Sequence, residues 1–279
     1  MNNANGPTEP HAVRLRARHP EVKLGGIAPI GLLPVVDAPG FALSLLGGFR
    51  LLTGTSVVKV PRSSQRLLVY LALRGGMVHR ATVAGTLWPD IAERRASTNL
   101  RSAVARLGSR GRRALASSKL ELGLAEGVAV DLRHGQWLAR RLLDPAVAPD
   151  RSELGTAAVA ALSTELLPGW YDDWVLEEAE DWRLLRLHAL EALAGHLRAA
   201  GRWGEAAGAA RAAVRAEPLR ESGHVALIQV HLAQGNQSEA VREYAGYREL
   251  LRAELGLEPT FQLRRLVQEL RVAGAARGR

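Results

Sequence analysis

The sequence predicts a mainly α-helical protein with an α+β N-terminal part and an all-α C-terminal part. Short apolar segments and helical patterns alternate over residues 41–145, helical periodicity alone continues from residue 146, and a 34-residue repeat lies in the second part. We therefore predict a disordered extension (1–40), an N-terminal domain (41–145) and a C-terminal domain (146–279).

Three short strands are expected to open the N-terminal domain. Apolar and small residues alternate over residues 41–45, which is typical of a half-buried strand, and further strands are predicted over 49–52 and 57–60. Pro61 ends this sheet because proline has no amide hydrogen to donate.

Three helices follow, at about residues 63–74, 80–88 and 92–108. The third helix has two contrasting faces at 100° per residue. Its inward face is apolar and consists of Ala96, Leu100, Ala103, Val104 and Leu107. Its outward face and flank carry arginines, hydroxyls and one amide, namely Arg94, Arg95, Thr98, Asn99, Arg101, Ser102 and Arg106. Arginine can pair with guanine and asparagine with adenine, so this surface could enter a major groove. A solvated arginine-rich helix is the alternative interpretation.

A β-hairpin is predicted after the third helix, from strands at 114–116 and 119–124. A strand at 128–130 then leads to Asp131, a predicted N-cap for a helix over 132–143. Sheet, three helices and hairpin together describe a winged helix-turn-helix, in which the hairpin contacts the DNA backbone. The basic residues expected to contact phosphates are Arg110, Arg112, Arg113 and Lys119.

Charge is unevenly distributed along the chain. Residues 41–145 contain 17 basic and 6 acidic residues, whereas residues 146–279 contain 16 basic and 19 acidic residues. The excess positive charge of the N-terminal domain favours a polyanionic partner such as nucleic acid.

The C-terminal domain contains a repeat with the 34-residue period of tetratricopeptide helix pairs. Gly201, Glu205 and Ala206 recur as Gly235, Glu239 and Ala240. Helix pairs are predicted over residues 185–217 and 219–255, with flanking helices at 152–167, 173–184 and 261–272.

Sequence motifs in both domains resemble the Streptomyces antibiotic regulatory proteins, the SARP family. In the N-terminal domain these are LLGGFRLL (45–52), QRLLVYLAL (65–73), LWPD (87–90) and NLRSAVARL (99–107). In the C-terminal domain they are LLPGWYDDWVLEEAEDWR (166–183), EPLRESGHVALIQVHLAQGNQSEAVREY (217–244) and LRAELGLEP (251–259).

The resemblance implies the small, two-domain form of the family, with an OmpR-type winged helix and a bacterial transcriptional activation domain. Residues 94–106 would match the recognition helix. The implied function is an activator that binds direct repeats in promoter DNA near secondary-metabolite gene clusters and recruits RNA polymerase holoenzyme. A homodimer or a side-by-side pair on DNA is a further implied partner.

The remaining residues favour structure over chemistry. The carboxylates at 172–181 are interpreted as helix N-terminal charge and a solvated face, and Trp170, Tyr171, Trp174 and Trp182 as packing residues. The scattered histidines lack metal-site spacing, no catalytic or phosphate-binding motif occurs, and no cofactor or enzymatic activity is expected.

The absence of cysteine excludes disulfides and fits a reducing compartment. The apolar stretch at 24–36 is broken by glycines and prolines and is too short to span a bilayer. We therefore expect a cytoplasmic, nucleoid-associated protein. The alternative function is a helical-repeat interaction protein whose basic domain binds acidic partners without sequence preference.

Overall fold

The computed structural model describes residues 40–268. The predicted extension lies outside the described residues apart from Gly40, and so do residues 269–272 of the last predicted helix. The strands are β1 (Phe41–Ser44), β2 (Arg50–Thr53), β3 (Ser56–Val57), β4 (Val78–His79), β5 (Leu115–Ser117), β6 (Glu121–Leu124) and β7 (Ala129–Val130). The helices of the N-terminal domain are α1 (Arg62–Arg74), α2 (Arg80–Leu87), α3 (Glu93–Ala105), α4 (Gly108–Arg112) and α5 (Asp131–Leu143).

The strands form two small sheets. The first has the order β3-β2-β1-β7, in which β1 is antiparallel to β2 and parallel to β7. The second is antiparallel and has the order β4-β6-β5. Sequence patterns missed the two-residue β4, and they predicted a third strand over 57–60 where β3 spans only Ser56–Val57.

The expectation that β1 is half-buried is wrong, because residues 41–46 are all buried. The small residues Ala42 and Ser44, on one face of the strand, are buried as well as the large apolar residues on the other face. Ser44 tolerates burial because its hydroxyl donates to the Asp131 carboxylate at 2.7 Å.

The third predicted helix, over 92–108, ends early, and a short helix that was not predicted follows it. Helix α3 ends at Ala105, and Gly108, with a φ of +66°, begins the separate α4. The left-handed backbone at Gly108 interrupts the helical path, and glycine adopts it at little cost because it lacks a Cβ atom.

Asp131 is the first residue of α5 and Val130 is its N-cap residue, which corrects the predicted N-cap by one position. Its buried carboxylate accepts hydrogen bonds from the Ser44 hydroxyl and from the amides of Leu45, Leu46 and Leu132, at 2.7–3.2 Å. Burial raises the pKa of Asp131, and these hydrogen bonds oppose that shift.

Helix pairs dominate the C-terminal domain. A 3₁₀ turn (Arg151–Leu154) is followed by α6 (Thr156–Ser163), α7 (Asp173–Ala199), α8 (Trp203–Ala216), α9 (Glu221–Ala233) and α10 (Gln237–Leu255), and helical backbone resumes at 261–268. Gly201 and Gly235 form the predicted turns, with φ values of +70° and +77°.

Two predicted helices of this domain differ from the structure. The predicted boundary between residues 184 and 185 is absent, and α7 is one helix of 27 residues because neither proline nor glycine occurs between Asp173 and Ala194. The helix predicted over 152–167 ends early, because the chain at Glu165–Leu167 pairs with Leu45–Gly47 after β1.

One buried apolar cluster includes residues from both domains. It contains Trp182, whose ring lies against Gly135 of α5 and whose Nε1 donates to the Thr164 carbonyl at 2.9 Å. The domain boundary at 145/146 stays a prediction. Among the described residues, no helix has both the length and the apolar character needed to cross a membrane.

We predict that Gly135→Ala destabilises the protein. A Cβ atom at Gly135 would lie 2.8 Å from Cη2 of Trp182, and the ring is held by its hydrogen bond to Thr164. We expect the free energy of unfolding in urea to fall by about 1–3 kcal/mol. The matched control is Gly246→Ala in α10, where an added Cβ atom would meet no atom within 4 Å beyond the neighbouring backbone of its own helix, and a gain of about 0.5–1 kcal/mol is expected. Equal effects at both positions would contradict the prediction.

We also predict that Asp131→Asn is strongly destabilising. The NH₂ group of the asparagine side chain would face backbone amides that can only donate. At least one buried backbone N–H would therefore lose its acceptor. We expect a loss of about 2–4 kcal/mol in urea unfolding. Asp90→Asn, at an exposed aspartate, is the control and should leave stability unchanged. A loss below about 0.5 kcal/mol for Asp131→Asn would show that the carboxylate is dispensable.

Candidate nucleic-acid interface

Helix α3 has the two faces that its sequence predicts. Ala96, Leu100 and Ala103 are buried, and so is Leu107 just beyond the helix, while Val104 is half-buried against the same cluster. This apolar face holds α3 against α1 and α2, so the opposite face points away from the core.

The predicted base-contacting residues share that outward surface. Arg94, Arg95, Thr98, Asn99 and Arg101 are exposed. Ser102 is half-buried, and Arg106 is exposed but follows the last residue of α3. The structure thus brings these side chains together on one surface, and their contact with DNA stays a prediction.

Local hydrogen bonds order part of this surface. The Thr98 hydroxyl donates to the Arg94 carbonyl at 3.0 Å, and Nη2 of Arg101 donates to the Thr98 hydroxyl at 3.0 Å. The Arg101 guanidinium is therefore held beside Thr98. Glu93, in the first turn, is the only acidic residue between positions 93 and 112.

The C-terminal carbonyls of α3 each find a donor, although a helix leaves its last four unpaired. The amides of Arg106 and Leu107 donate to the Ser102 and Val104 carbonyls. The Ala103 carbonyl accepts from the buried Ser64 hydroxyl of α1 at 2.7 Å. The Ala105 carbonyl accepts from Nη2 of Arg112 at 3.2 Å.

The predicted phosphate-contacting residues lie on two elements. Arg110, Arg112 and Arg113 are exposed on α4 and just after it, next to the end of α3. Arg112 also has the intramolecular role of binding the Ala105 carbonyl. Lys119 is exposed at the turn of the β5–β6 hairpin.

The hairpin is anchored by a residue that sequence reasoning missed. Arg80, the first residue of α2, donates from Nε to the Ser118 carbonyl at 3.1 Å and from Nη2 to the Ser117 hydroxyl at 2.7 Å. Its amide also donates to the Leu120 carbonyl at 2.8 Å. Because the strand before it, β4, has two residues, no periodic pattern reveals that this segment pairs with the hairpin.

Packing explains three of the four aromatic residues at 170–182. Trp170, Trp174 and Trp182 are buried, which confirms the structural interpretation. The same expectation is wrong for Tyr171, whose side chain is 82% exposed. Tyr171 precedes α7, and its neighbours Trp170 and Asp172 contact α1 while its own ring points to solvent.

Most carboxylates of the same region have the expected structural placement, but Asp172 does not, because its side chain is largely buried and pairs with Arg66 of α1. Asp173 lies in the first turn of α7, and Glu180 binds Arg183 on the exposed face. Burial raises the pKa of Glu178.

Within residues 40–268, no cluster of three or more histidine, aspartate or glutamate side chains could hold a metal ion.

Comparison with known proteins supports a regulatory family. The model of the bacterial transcriptional activator domain matches residues 130–271, just over half of the chain. Regulatory protein AfsR of Streptomyces griseus is 29% identical over 283 residues, which cover 97% of this chain and 27% of AfsR. The chain thus spans about a quarter of the length of that relative.

A solved structure has a similar fold. Mycobacterium tuberculosis EmbR, determined in complex with a low affinity phosphopeptide, superposes with a TM-score of 0.59 and 22% sequence identity. The likeness covers 82% of this chain and 64% of EmbR. At this identity it supports the fold, a winged helix-turn-helix followed by an all-α domain.

Proposed function

Because this chain belongs to the SARP family of bacterial transcription regulators, we propose that it activates transcription by binding promoter DNA sequence-specifically. The observation that carries the proposal is the outward face of α3. It is exposed, rich in arginine and backed by a buried apolar face that fixes its direction.

Base recognition belongs to the surface of α3 in this proposal. The side chains entering the major groove are Arg94, Arg95, Thr98, Asn99, Arg101, Ser102 and Arg106. Arg101 is the best candidate for a bidentate contact with guanine, because its bond to Thr98 reduces the side-chain freedom lost on binding.

Phosphate contacts come from the two elements beside α3. Arg110 and Arg113 extend the basic surface at the end of the helix, and Lys119 extends it at the hairpin turn. Arg112 contributes charge while it binds the Ala105 carbonyl. Contacts of this kind set affinity and register but carry little sequence information.

Family resemblance supports a more specific proposal for activation. In it, the protein acts in the cytoplasm on the nucleoid, binds direct repeats near promoters of a secondary-metabolite gene cluster, and recruits RNA polymerase holoenzyme. The C-terminal domain would contact polymerase or a second copy bound side by side on the DNA. Family membership assigns transcription regulation, and we propose no catalytic activity.

Genome-wide crosslinking of the tagged protein, followed by sequencing of the bound DNA, tests this function. A few sharp peaks with direct repeats upstream of a biosynthetic gene cluster are expected. Diffuse enrichment would instead favour a helical-repeat interaction protein with a non-specific basic domain.

Salt dependence gives a second test in vitro, with duplexes selected from a random pool and scrambled versions of them. Several phosphate contacts predict that affinity falls roughly a thousandfold or more between about 50 and 200 mM salt. The preference for the selected duplex should persist over that range. Equal affinity for selected and scrambled duplexes would overturn the proposal.

We predict that Arg101→Ala and Lys119→Ala have different effects. Loss of a bidentate base contact costs about 1–3 kcal/mol of discrimination, so Arg101→Ala should lower the ratio of affinities for selected and scrambled duplexes by roughly tenfold. Lys119→Ala should weaken binding to both duplexes equally and reduce the salt slope by about one. Fluorescence anisotropy measures both quantities. An equal loss on both duplexes for Arg101→Ala would remove that residue from the base-contacting set.

A further inference from the structure

We propose that Trp170, Asp172 and Trp174 of the C-terminal domain are positioning residues for DNA recognition, acting through α1 on the recognition helix α3. This inference rests on the proposed DNA-binding function. None of the three residues lies on the basic surface, so the effect must pass through packing and hydrogen bonds.

Helix α1 packs one side against residues 170–174. Arg62, Arg66 and Tyr70 are spaced four residues apart and therefore form a stripe along the helix. The Arg62 guanidinium lies 3.5 Å from the ring centroid of Trp170. The Tyr70 ring meets Trp174 edge to face, with centroids 5.3 Å apart and an interplanar angle of 89°.

The central contact of this stripe is an ion pair. Nε and Nη2 of Arg66 both donate to Oδ1 of Asp172, at 3.0 and 2.6 Å. The two side chains are 24% and 17% exposed. Water screens such a pair less than a pair on the open surface, so it constrains α1 more than most surface salt bridges would.

The same helix binds both helices of the helix-turn-helix. The Ser64 hydroxyl, fully buried, donates to the Ala103 carbonyl in the last turn of α3. The Tyr70 hydroxyl lies 3.3 Å from the Thr86 hydroxyl of α2. Tyr70 thus contacts α2 with its hydroxyl and Trp174 with its ring.

The consequence is a continuous chain of contacts from the start of α7 to the end of α3. Base contacts require side chains to be placed within about 0.5 Å, because hydrogen bonds weaken steeply with distance and angle. A small rotation of α1 would move the Ser64 hydroxyl and release the Ala103 carbonyl. The outward side chains of α3 would then lose part of their fixed orientation, and base discrimination would fall more than phosphate binding.

The experiment is a double-mutant cycle on the full chain with Arg66→Met, Asp172→Asn and the double variant. The readout is the ratio of affinities for a duplex selected from a random pool and its scrambled version, by fluorescence anisotropy. We expect each single variant to lower the ratio about 5-fold and the double variant to add little more, because the two changes remove the same contact. Glu177→Gln, an exposed carboxylate on the next turn of α7, is the matched control and should keep the wild-type ratio.

Amide hydrogen exchange without DNA gives an independent readout. Asp172→Asn and Ser64→Ala should each speed exchange in residues 103–107 about 5-fold, whereas Glu177→Gln should not.

The two readouts separate this inference from the proposed function. If the wild type shows no duplex preference, the proposed function fails, and hydrogen exchange still decides whether residues 170–174 act on α3. If a variant is unfolded by circular dichroism, Trp174→Phe, which keeps an aromatic ring at the contact, replaces it. Wild-type ratios and wild-type exchange in folded Asp172→Asn and Ser64→Ala would overturn the proposal.

Discussion

The hydrogen bonds of the buried Asp131 carboxylate hold the first sheet and the start of α5 together, and the contacts of the N-terminal domain are built around them. It accepts hydrogen bonds from Ser44, Leu45 and Leu46, which end β1 and begin the next loop, and from Leu132 in α5. That loop then bonds to the chain at Glu165–Leu167 before α7. One side chain therefore joins the first sheet to the helix that follows it, and the backbone of the loop that it holds bonds to the approach to α7. The buried carboxylate is tolerated here because each of its two oxygens accepts two hydrogen bonds.

A second constraint sets the direction of α3. The apolar face of α3 fixes which side chains point outward, but its rotation and tilt also depend on how its last turn is held. Donors for that turn come from α1 and α4, through Ser64 and Arg112. The basic residues near α3 have two roles. All of them extend the charged surface, and Arg112 also supports α3 by donating to the Ala105 carbonyl. Arg112 thus contributes both to the positive charge of the surface and to the fixed position of α3.

Local patterns predicted well those features that depend on one segment at a time. The 3.6-residue period separated the buried and exposed faces of α3, and the 34-residue period placed the turns at Gly201 and Gly235. The errors occurred where distant segments decide the outcome. Ser44 is buried because Asp131 accepts its hydroxyl, the chain before Leu167 leaves the helix to pair with the loop after β1, and Tyr171 is exposed between two residues that contact α1.

The sequence by itself therefore determined the fold class, the division of charge between the two halves and the face of α3 that points to solvent. These follow from residue periodicity and composition, which each segment carries regardless of its neighbours. Only the tertiary structure decided that Ser64 supports α3 from 39 residues away, that Arg66 meets Asp172 across 106 residues, and that Arg80 anchors the hairpin. Such contacts have no local signature, because they arise when packing brings together segments whose separation along the chain bears no relation to any helix or strand period.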